Sequence, residues 1–118
     1  MNIQIFGTQK SKDTKKALRF FKERGLKPQF VDLGTGKTAP GELKRFVQKV
    51  GLDGLTEKNS KAYEDSGLGY LRLSDDDFLA RLLETPALLK QPLLRSGKTV
   101  EVGWDEPLWR ELYAAAKN

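Results

Sequence analysis

The chain has 118 residues, of which 38% are hydrophobic and 31% charged, and this balance is typical of a folded globular protein. It contains no cysteine and no histidine, which excludes thiolate nucleophiles, disulfide exchange, zinc fingers and imidazole bases for the chain as written. The formal net charge is +5, but 16 acidic residues are interleaved with 21 basic ones and no basic cluster alternates with aromatic residues, so we do not expect nucleic-acid binding.

The sequence contains no candidate for a membrane segment. No run approaches the roughly 18 apolar residues that a membrane helix needs, and the first residue leads directly into a predicted strand. We therefore expect no signal peptide, no membrane partner and a cytoplasmic location. No linker or repeat interrupts the chain, so we expect a single domain over residues 1–118 that needs no metal and no cofactor to fold.

The first predicted elements form a βαβ unit. Residues 3–6 are a short apolar strand, and apolar residues recur at helical spacing over residues 12–24. Gly25 ends this helix, and a second strand covers residues 29–33. A strand, a helix and a strand within this length predict two parallel strands joined by a right-handed crossover.

Three further helices are predicted in the middle of the chain, over residues 42–50, 61–65 and 75–84. Ser74 precedes three aspartates, and a serine followed by acidic residues is typical of a helix N-terminus. Capping is therefore a better explanation of these aspartates than a cation site, which would need further carboxylates at regular spacing.

The last predicted elements are two strands and a helix. Residues 92–94 and 99–102 are joined around Ser96 and Gly97, which is a hairpin signal, and residues 106–116 form the closing helix. The order βαβ, helices, ββα predicts an α/β fold, namely a thioredoxin-like four-stranded mixed sheet with flanking helices and a helical insertion.

Ser11 is the candidate for chemistry, because it lies between a polar loop and the N-terminus of the first helix. Free backbone N–H groups at such a position stabilise anions and thiolates, and a redox protein built in this way would have a cysteine there. A serine nucleophile needs a base, and the chain offers no histidine. The competing interpretation is that Ser11 is an N-cap that accepts a hydrogen bond from the N–H of Asp13 or Thr14.

Several stretches together resemble the arsenate reductase (ArsC)/Spx family of thioredoxin-like proteins. They are FGTQKSKDTKKALRFFKERG (6–25), VDL (31–33), GELKRFVQKVG (41–51), EKNSKAY (57–63), ETPALLKQPLLRSGK (84–98) and VGW (102–104). They cover nearly the whole chain in the family's order. The amino-acid sequence near the start is most similar to the ArsC-like branch that includes selenoproteins.

The resemblance assigns roles to residues around the first helix. Ser11 matches the catalytic position of the nucleophilic cysteine or selenocysteine, and Thr14 stands where some members have a second cysteine. Pro92 matches the family's cis-proline, although the residues alone leave the cis and trans forms of Gln91–Pro92 equally open. Lys12 and Lys15 are expected to help to stabilise an anion at Ser11.

The resemblance also shows departures from arsenate-reducing members, which place arginines around the oxyanion. Lys61 and Gln91, with Lys90 beside it, stand at two arginine positions, and position 104 is Trp rather than a basic residue. Lysine keeps the charge but lacks the bidentate fork of arginine. Lys61 and Lys90 are therefore expected to be weaker anion-binding residues, and arsenate is not the expected substrate.

The resemblance implies a thiol- or selenol-dependent oxidoreductase scaffold that is inactive with Ser11. Its reductant would be glutathione, thioredoxin or glutaredoxin. Ser11 either replaces a natural cysteine or selenocysteine or is itself natural. Two alternatives stay open: a non-enzymatic, Spx-like regulator that binds RNA polymerase, and an oxyanion-binding module without turnover.

Overall fold

The computed structural model describes residues 3–103 and 105–117, with side chains up to residue 115. The strands and helices follow the predicted order. They are β1 (Ile3–Gly7), α1 (Lys12–Glu23), β2 (Gln29–Asp32), α2 (Lys44–Leu55), α3 (Lys61–Ser66), α4 (Asp75–Glu84), β3 (Leu93–Ser96), β4 (Thr99–Val102) and α5 (Glu106–Lys117). The chain forms two compact units, of which one comprises the residues up to Gly34 together with those from Gln91 onward, and the other comprises Thr35–Lys90.

The first unit contains the mixed sheet, whose strand order is β2-β1-β3-β4. β1 pairs in parallel with β2 and antiparallel with β3, and β3 forms an antiparallel hairpin with β4. Ile5 is opposite Phe30 on one side and Leu94 on the other. The predicted four-stranded mixed sheet is confirmed.

Helices α1 and α5 bury their apolar sides in the core of this unit. Phe20 makes edge-on contacts with Phe21 and Trp109, at centroid distances of 5.0 and 5.7 Å. Edge-to-face packing of this kind adds to the stabilisation from burial alone. The buried cluster consists of Ile3, Ile5, Ala17, Phe20, Phe21, Leu94, Trp109 and Leu112.

The second unit contains α2, α3 and α4, and its first helix is interrupted. Gly51 in α2 has φ +73° and ψ 170°, so the helix breaks there and then continues to Leu55. A positive φ favours glycine because this residue has no Cβ. The predicted helix end at Val50 corresponds to a real break, but the prediction missed the second segment, which buries Leu55.

Backbone hydrogen bonds tie the end of α2 to the segment that leads out of the second unit. The Glu57 N–H donates to the Leu88 carbonyl at 2.8 Å, and the Lys90 N–H donates to the Leu55 carbonyl at 2.7 Å. These bonds fix the backbone up to Lys90, and the next residue belongs to the first unit.

The first strand of the hairpin starts one residue later and ends two residues later than predicted. Ser96 is the last residue of β3, and Gly97 turns the chain with φ +60°. Pro92 precedes β3 instead of belonging to it. The predicted turn around Ser96 and Gly97 was therefore placed slightly early.

Candidate functional site

Ser11 is the N-cap residue of α1. Its backbone is extended, with φ −79° and ψ 117°, and its Oγ accepts a hydrogen bond from the Thr14 N–H at 3.1 Å. The Ser11 N–H donates to the Thr8 carbonyl at 3.1 Å and so closes the turn between β1 and α1. The expected cap is confirmed. The sequence could predict it because the serine stands at the start of a helix and its donor is only three residues away.

Gln91 holds the loop before Ser11 in place. Its Oε1 accepts hydrogen bonds from the Thr8 N–H at 2.8 Å, the Thr8 Oγ1 at 3.2 Å and the Thr14 Oγ1 at 3.4 Å. The Gln91–Pro92 peptide bond is cis, so the form implied by the resemblance is the one in the structure. One side chain therefore joins the β1–α1 loop, the first turn of α1 and the residue before the cis-proline.

The strand and the helix approach each other closely at Gly7. A Cβ at this position would overlap Thr14 Oγ1 and lie 2.6 Å from its Cγ2. Thr14 is fully buried. Glycine at position 7 thus leaves room for Thr14, whose hydroxyl reaches Gln91 and whose N–H donates to Ser11.

The four candidate anion-binding lysines are distributed over the two units. Lys12 and Lys15 are exposed on α1, in the same helix that Ser11 caps. Lys61 is exposed at the start of α3, where Ser60 caps the helix by accepting from the Tyr63 N–H at 3.1 Å. Lys90 is half-buried at the end of the second unit.

The surroundings of Ser11 support hydrogen bonding to an anion and offer no base. Its Oγ bonds to a backbone amide, and no carboxylate or amine among the described residues shares a hydrogen bond with it. The N–H groups of the first turn of α1 lie at the positive end of the helix dipole. This arrangement can stabilise a negatively charged sulfur or selenium atom, but it does not activate a hydroxyl group.

Neither a metal site nor a membrane helix is present in the described part of the chain. No group of three or more acidic residues in residues 3–103 and 105–117 could hold a metal ion. The aspartates at the start of α4 follow Ser74, whose Oγ accepts from the Asp77 N–H at 3.2 Å, as capping requires. None of the described helices is long and apolar enough to cross a bilayer.

The sequence analysis missed two residues of this site. Thr8 donates both its N–H and its hydroxyl to Gln91, and Gly7 provides the close approach to Thr14. The pair Gly-Thr directly before a polar loop is a weak signal for such roles. Their partner Gln91 is 83 residues from Thr8 in the sequence, so no local pattern links them.

Comparison with known proteins identifies the family. The model of the ArsC family matches residues 6–112 of the chain. This chain belongs to the ArsC family. Its redox scaffold is therefore that of the family, and the relatives described next include both enzymes and a regulator.

Two relatives of this chain are named for different functions, one as an enzyme and one as a transcriptional regulator. The arsenate reductase of Neisseria meningitidis serogroup B is 28% identical over 104 residues, which cover 86% of this chain and 89% of the relative. The global transcriptional regulator Spx 2 of Oceanobacillus iheyensis is 28% identical over 108 residues, which cover 90% and 79%. Membership of the family therefore leaves enzyme and regulator both open.

Solved structures confirm the fold. The arsenate reductase from Vibrio cholerae superposes with a TM-score of 0.80 at 23% sequence identity, over 95% of this chain and 98% of that structure. The thioredoxin-like α/β fold of the ArsC family is thus the fold of this chain.

The position that the resemblance gives to an arginine of ArsC is occupied here by a glutamine, whose oxygen accepts hydrogen bonds from the β1–α1 loop. Gln91 directs its Oε1 to Thr8 and Thr14. An arginine would instead provide donors to an oxyanion. Trp104, at another such position, lies outside the described residues.

Proposed function

We propose that this chain is the scaffold of a thiol- or selenol-dependent oxidoreductase of the cytoplasm in which Ser11 occupies the position of the reacting atom. The observation that supports the proposal is the cap geometry, in which the Ser11 Oγ accepts from the Thr14 N–H at 3.1 Å. A thiolate or selenolate at this position would accept the same hydrogen bond at the positive end of the dipole of α1.

The chain as written is inactive in disulfide exchange under this proposal. A serine alkoxide does not exchange with a disulfide, and no base near Ser11 would form it. We propose that the natural residue at position 11 is cysteine or selenocysteine. The codon at position 11 of the gene tests this point: a UGA or cysteine codon supports it, and a serine codon contradicts it.

The Ser11→Cys variant tests the scaffold itself. Its thiolate is expected to attack a sulfur of glutathione disulfide, so that the S–S bond breaks, a mixed disulfide forms and one glutathione leaves as a thiolate that takes up a proton. The helix N-terminus should lower the pKa of the introduced thiol below about 8.5, the ordinary value. The measurement is thiolate absorbance against pH, together with the rate of release of glutathione.

Ser74→Cys is a matched control for this experiment. Ser74 also caps a helix through an oxygen that accepts from the third amide, but three aspartates fill the first turn of α4. Their negative charges oppose a thiolate, so the pKa in this variant should be about 8.5 or higher. A thiol pKa in Ser11→Cys that is no lower than in Ser74→Cys contradicts the proposal.

Arsenate is not the substrate that we propose. The Gln91 Oε1 is an acceptor beside the site, and Lys61 lacks a bidentate fork. We expect Ser11→Cys to exchange disulfides with glutathione, thioredoxin or glutaredoxin but not to reduce arsenate. Millimolar arsenate, phosphate or sulfate should leave the Tm of the unaltered chain unchanged, whereas a rise in Tm would favour the oxyanion-binding module.

A regulator without enzymatic activity is the second candidate function. It is favoured by the relative named as an Spx regulator, whose match covers 90% of this chain. This function predicts a stable complex of the unaltered chain with RNA polymerase. Size-exclusion chromatography of the two together tests it, and separate elution at micromolar concentrations dismisses it.

A further inference from the structure

The positive charge of the chain is concentrated in one segment. Residues 10–27 contain eight of the 21 basic residues and only two of the 16 acidic residues. The remaining residues contain 13 basic and 14 acidic residues, so they are almost neutral together. The net charge of +5 therefore arises from α1 and the residues beside it.

The cations of α1 share one side of the helix. Their spacing of three or four residues places them together, and all are exposed. The buried residues of α1, among them Ala17 and Phe21, lie on the opposite side. We call this surface the basic face, and its residues are Lys12, Lys15, Lys16, Arg19 and Lys22.

Most cations of the basic face make no ion pair. The Lys16 Nζ lies 3.9 Å from the Asp13 Oδ1. Lys12, Lys15, Arg19 and Lys22 make no ion pair with any residue that the structure describes. The basic face therefore presents several cations to a partner without the need to break existing pairs.

The stability of α1 does not explain the basic face. Lys12 lies in the first turn, where the helix dipole disfavours a cation. Like charges three or four residues apart, such as Lys12 with Lys15 and Lys15 with Arg19, cost about 0.2–0.5 kcal/mol each in an isolated helix. Lys12 and these like-charge pairs weaken the helix, so a role in binding is the better explanation of the basic face.

We propose that the basic face docks an acidic surface of another protein. The chemical role that we give to this partner rests on the proposed function. The basic face begins at the residue that follows Ser11, so a protein bound to it comes within reach of position 11. The partner is then an acidic protein that carries the disulfide or thiol with which position 11 exchanges.

A groove lies at the edge of the basic face, and one of its arginines is held in place by contacts with α1. Its volume is about 240 Å³, and beside Phe20 and Trp109 it is lined by three cations and two carboxylates, namely Lys16, Arg19, Arg24, Glu23 and Glu106. The Arg24 guanidinium stacks over the Phe20 ring at 3.6 Å and donates to the Phe20 carbonyl at 3.0 Å. An arginine held in this way is pre-organised to bind an acidic side chain.

A protein fits the basic face better than a nucleic acid or a membrane. Glu23 lies on the same side of α1 as Arg19, and a chain of phosphates would meet this carboxylate. The face presents no exposed apolar side chain, which insertion at a membrane surface requires. The mixed charges of a protein surface can accommodate Glu23.

Binding of defined probes to the unaltered chain tests the proposal. A fluorescein-labelled Glu-rich peptide is titrated by anisotropy at about 20 mM salt, where screening is weak. A Lys-rich peptide, a short DNA duplex and phosphatidylserine vesicles are titrated in the same way. We expect binding of the Glu-rich peptide alone, and tighter binding of the duplex or the vesicles overturns the proposal.

Two charge-reversal variants locate the binding site. Lys15→Glu combined with Arg19→Glu changes the basic face, whereas Lys37→Glu combined with Lys98→Glu makes the same change in net charge at exposed residues elsewhere. The first pair should weaken peptide binding by about tenfold or more, and the second by less than about twofold. An equal loss in both variants overturns the proposal, because the peptide then responds only to net charge.

A rate measurement separates this inference from the proposed function. Ser11→Cys reacts with a Glu-rich or a Lys-rich peptide that carries glutathione on a cysteine: the introduced thiolate bonds to the glutathione sulfur, and the peptide leaves as a thiolate that takes up a proton. The ratio of the two rates should favour the acidic peptide by about tenfold and fall towards one with Lys15→Glu and Arg19→Glu added. If both peptides react at the same rate, the docking proposal is wrong and the redox proposal stands. If neither peptide reacts, the redox proposal is wrong, and the binding titrations still decide the docking proposal.

Discussion

Thr14 and Gln91 define the surroundings of Ser11. The Thr14 N–H donates to Ser11, and its hydroxyl donates to Gln91, which also accepts both donors of Thr8. Buried donors that lose an acceptor cost free energy, because no water replaces it. The geometry at position 11 thus depends on a side chain that is far away in the sequence.

Replacement of Gln91 by leucine should therefore destabilise the chain. The variant keeps the volume of the side chain but removes the acceptor of Thr8 and Thr14, at a cost of about 1–3 kcal/mol in the free energy of unfolding. Urea unfolding measures this loss. Gln91→Glu keeps an acceptor oxygen and should lower the free energy of unfolding by less. Equal losses in the two variants would show that these hydrogen bonds do not contribute to stability.

At this scale the sequence predicts local contacts and misses distant ones. The cap at Ser11 was predictable because its donor is three residues away. The contact of Gln91 with Thr8 was not, because 83 residues separate them and only the folded sheet brings them together. The resemblance identified position 91 as part of the site but did not indicate that its oxygen faces the loop.

One side of helix α1 packs in the core, and the other carries cations of which most make no ion pair with a described residue. The buried side was predictable from the spacing of apolar residues. The basic face is visible in the same spacing, but only the structure shows which cations lack a nearby carboxylate. For α2 the sequence indicated a stop near Gly51, and the structure shows a break there followed by a further segment that ends at the buried Leu55.

Lys12→Glu is expected to stabilise α1 and with it the chain. A carboxylate in the first turn interacts favourably with the helix dipole, which contributes about 0.3–1 kcal/mol to the free energy of unfolding. The variant also places an acid four residues before Lys16. Urea unfolding at low salt measures the gain, which should shrink as salt screens the charges.

Lys22→Glu is the matched control at the other end of the helix. Lys22 lies in the last turn, where the dipole favours a cation. The same change in charge should therefore give no gain there. A loss of stability in Lys12→Glu would contradict the argument that Lys12 is retained at a cost to the helix.

The two compact units raise the question whether the chain folds as one. The second unit, Thr35–Lys90, interrupts the first, so β1 pairs with β3 across it. Formation of the sheet must bring the ends of this long insertion together, which costs loop-closure entropy unless the insertion is itself folded. The Lys90 N–H forms a hydrogen bond within the second unit, and the side chain of Gln91, the next residue, accepts hydrogen bonds within the first.

We therefore propose that the chain unfolds as a single cooperative domain. Leu82→Ala tests this, because Leu82 is fully buried in the second unit, whereas Trp109 is buried in the first and residues 35–90 contain no tryptophan. The variant should cost about 2–5 kcal/mol. The urea midpoint from tryptophan fluorescence should fall as far as the midpoint from far-UV circular dichroism, since a two-state transition has one midpoint for every probe. If the fluorescence midpoint stays in place while the dichroism transition moves or splits, the units unfold separately and the prediction of a single domain is wrong.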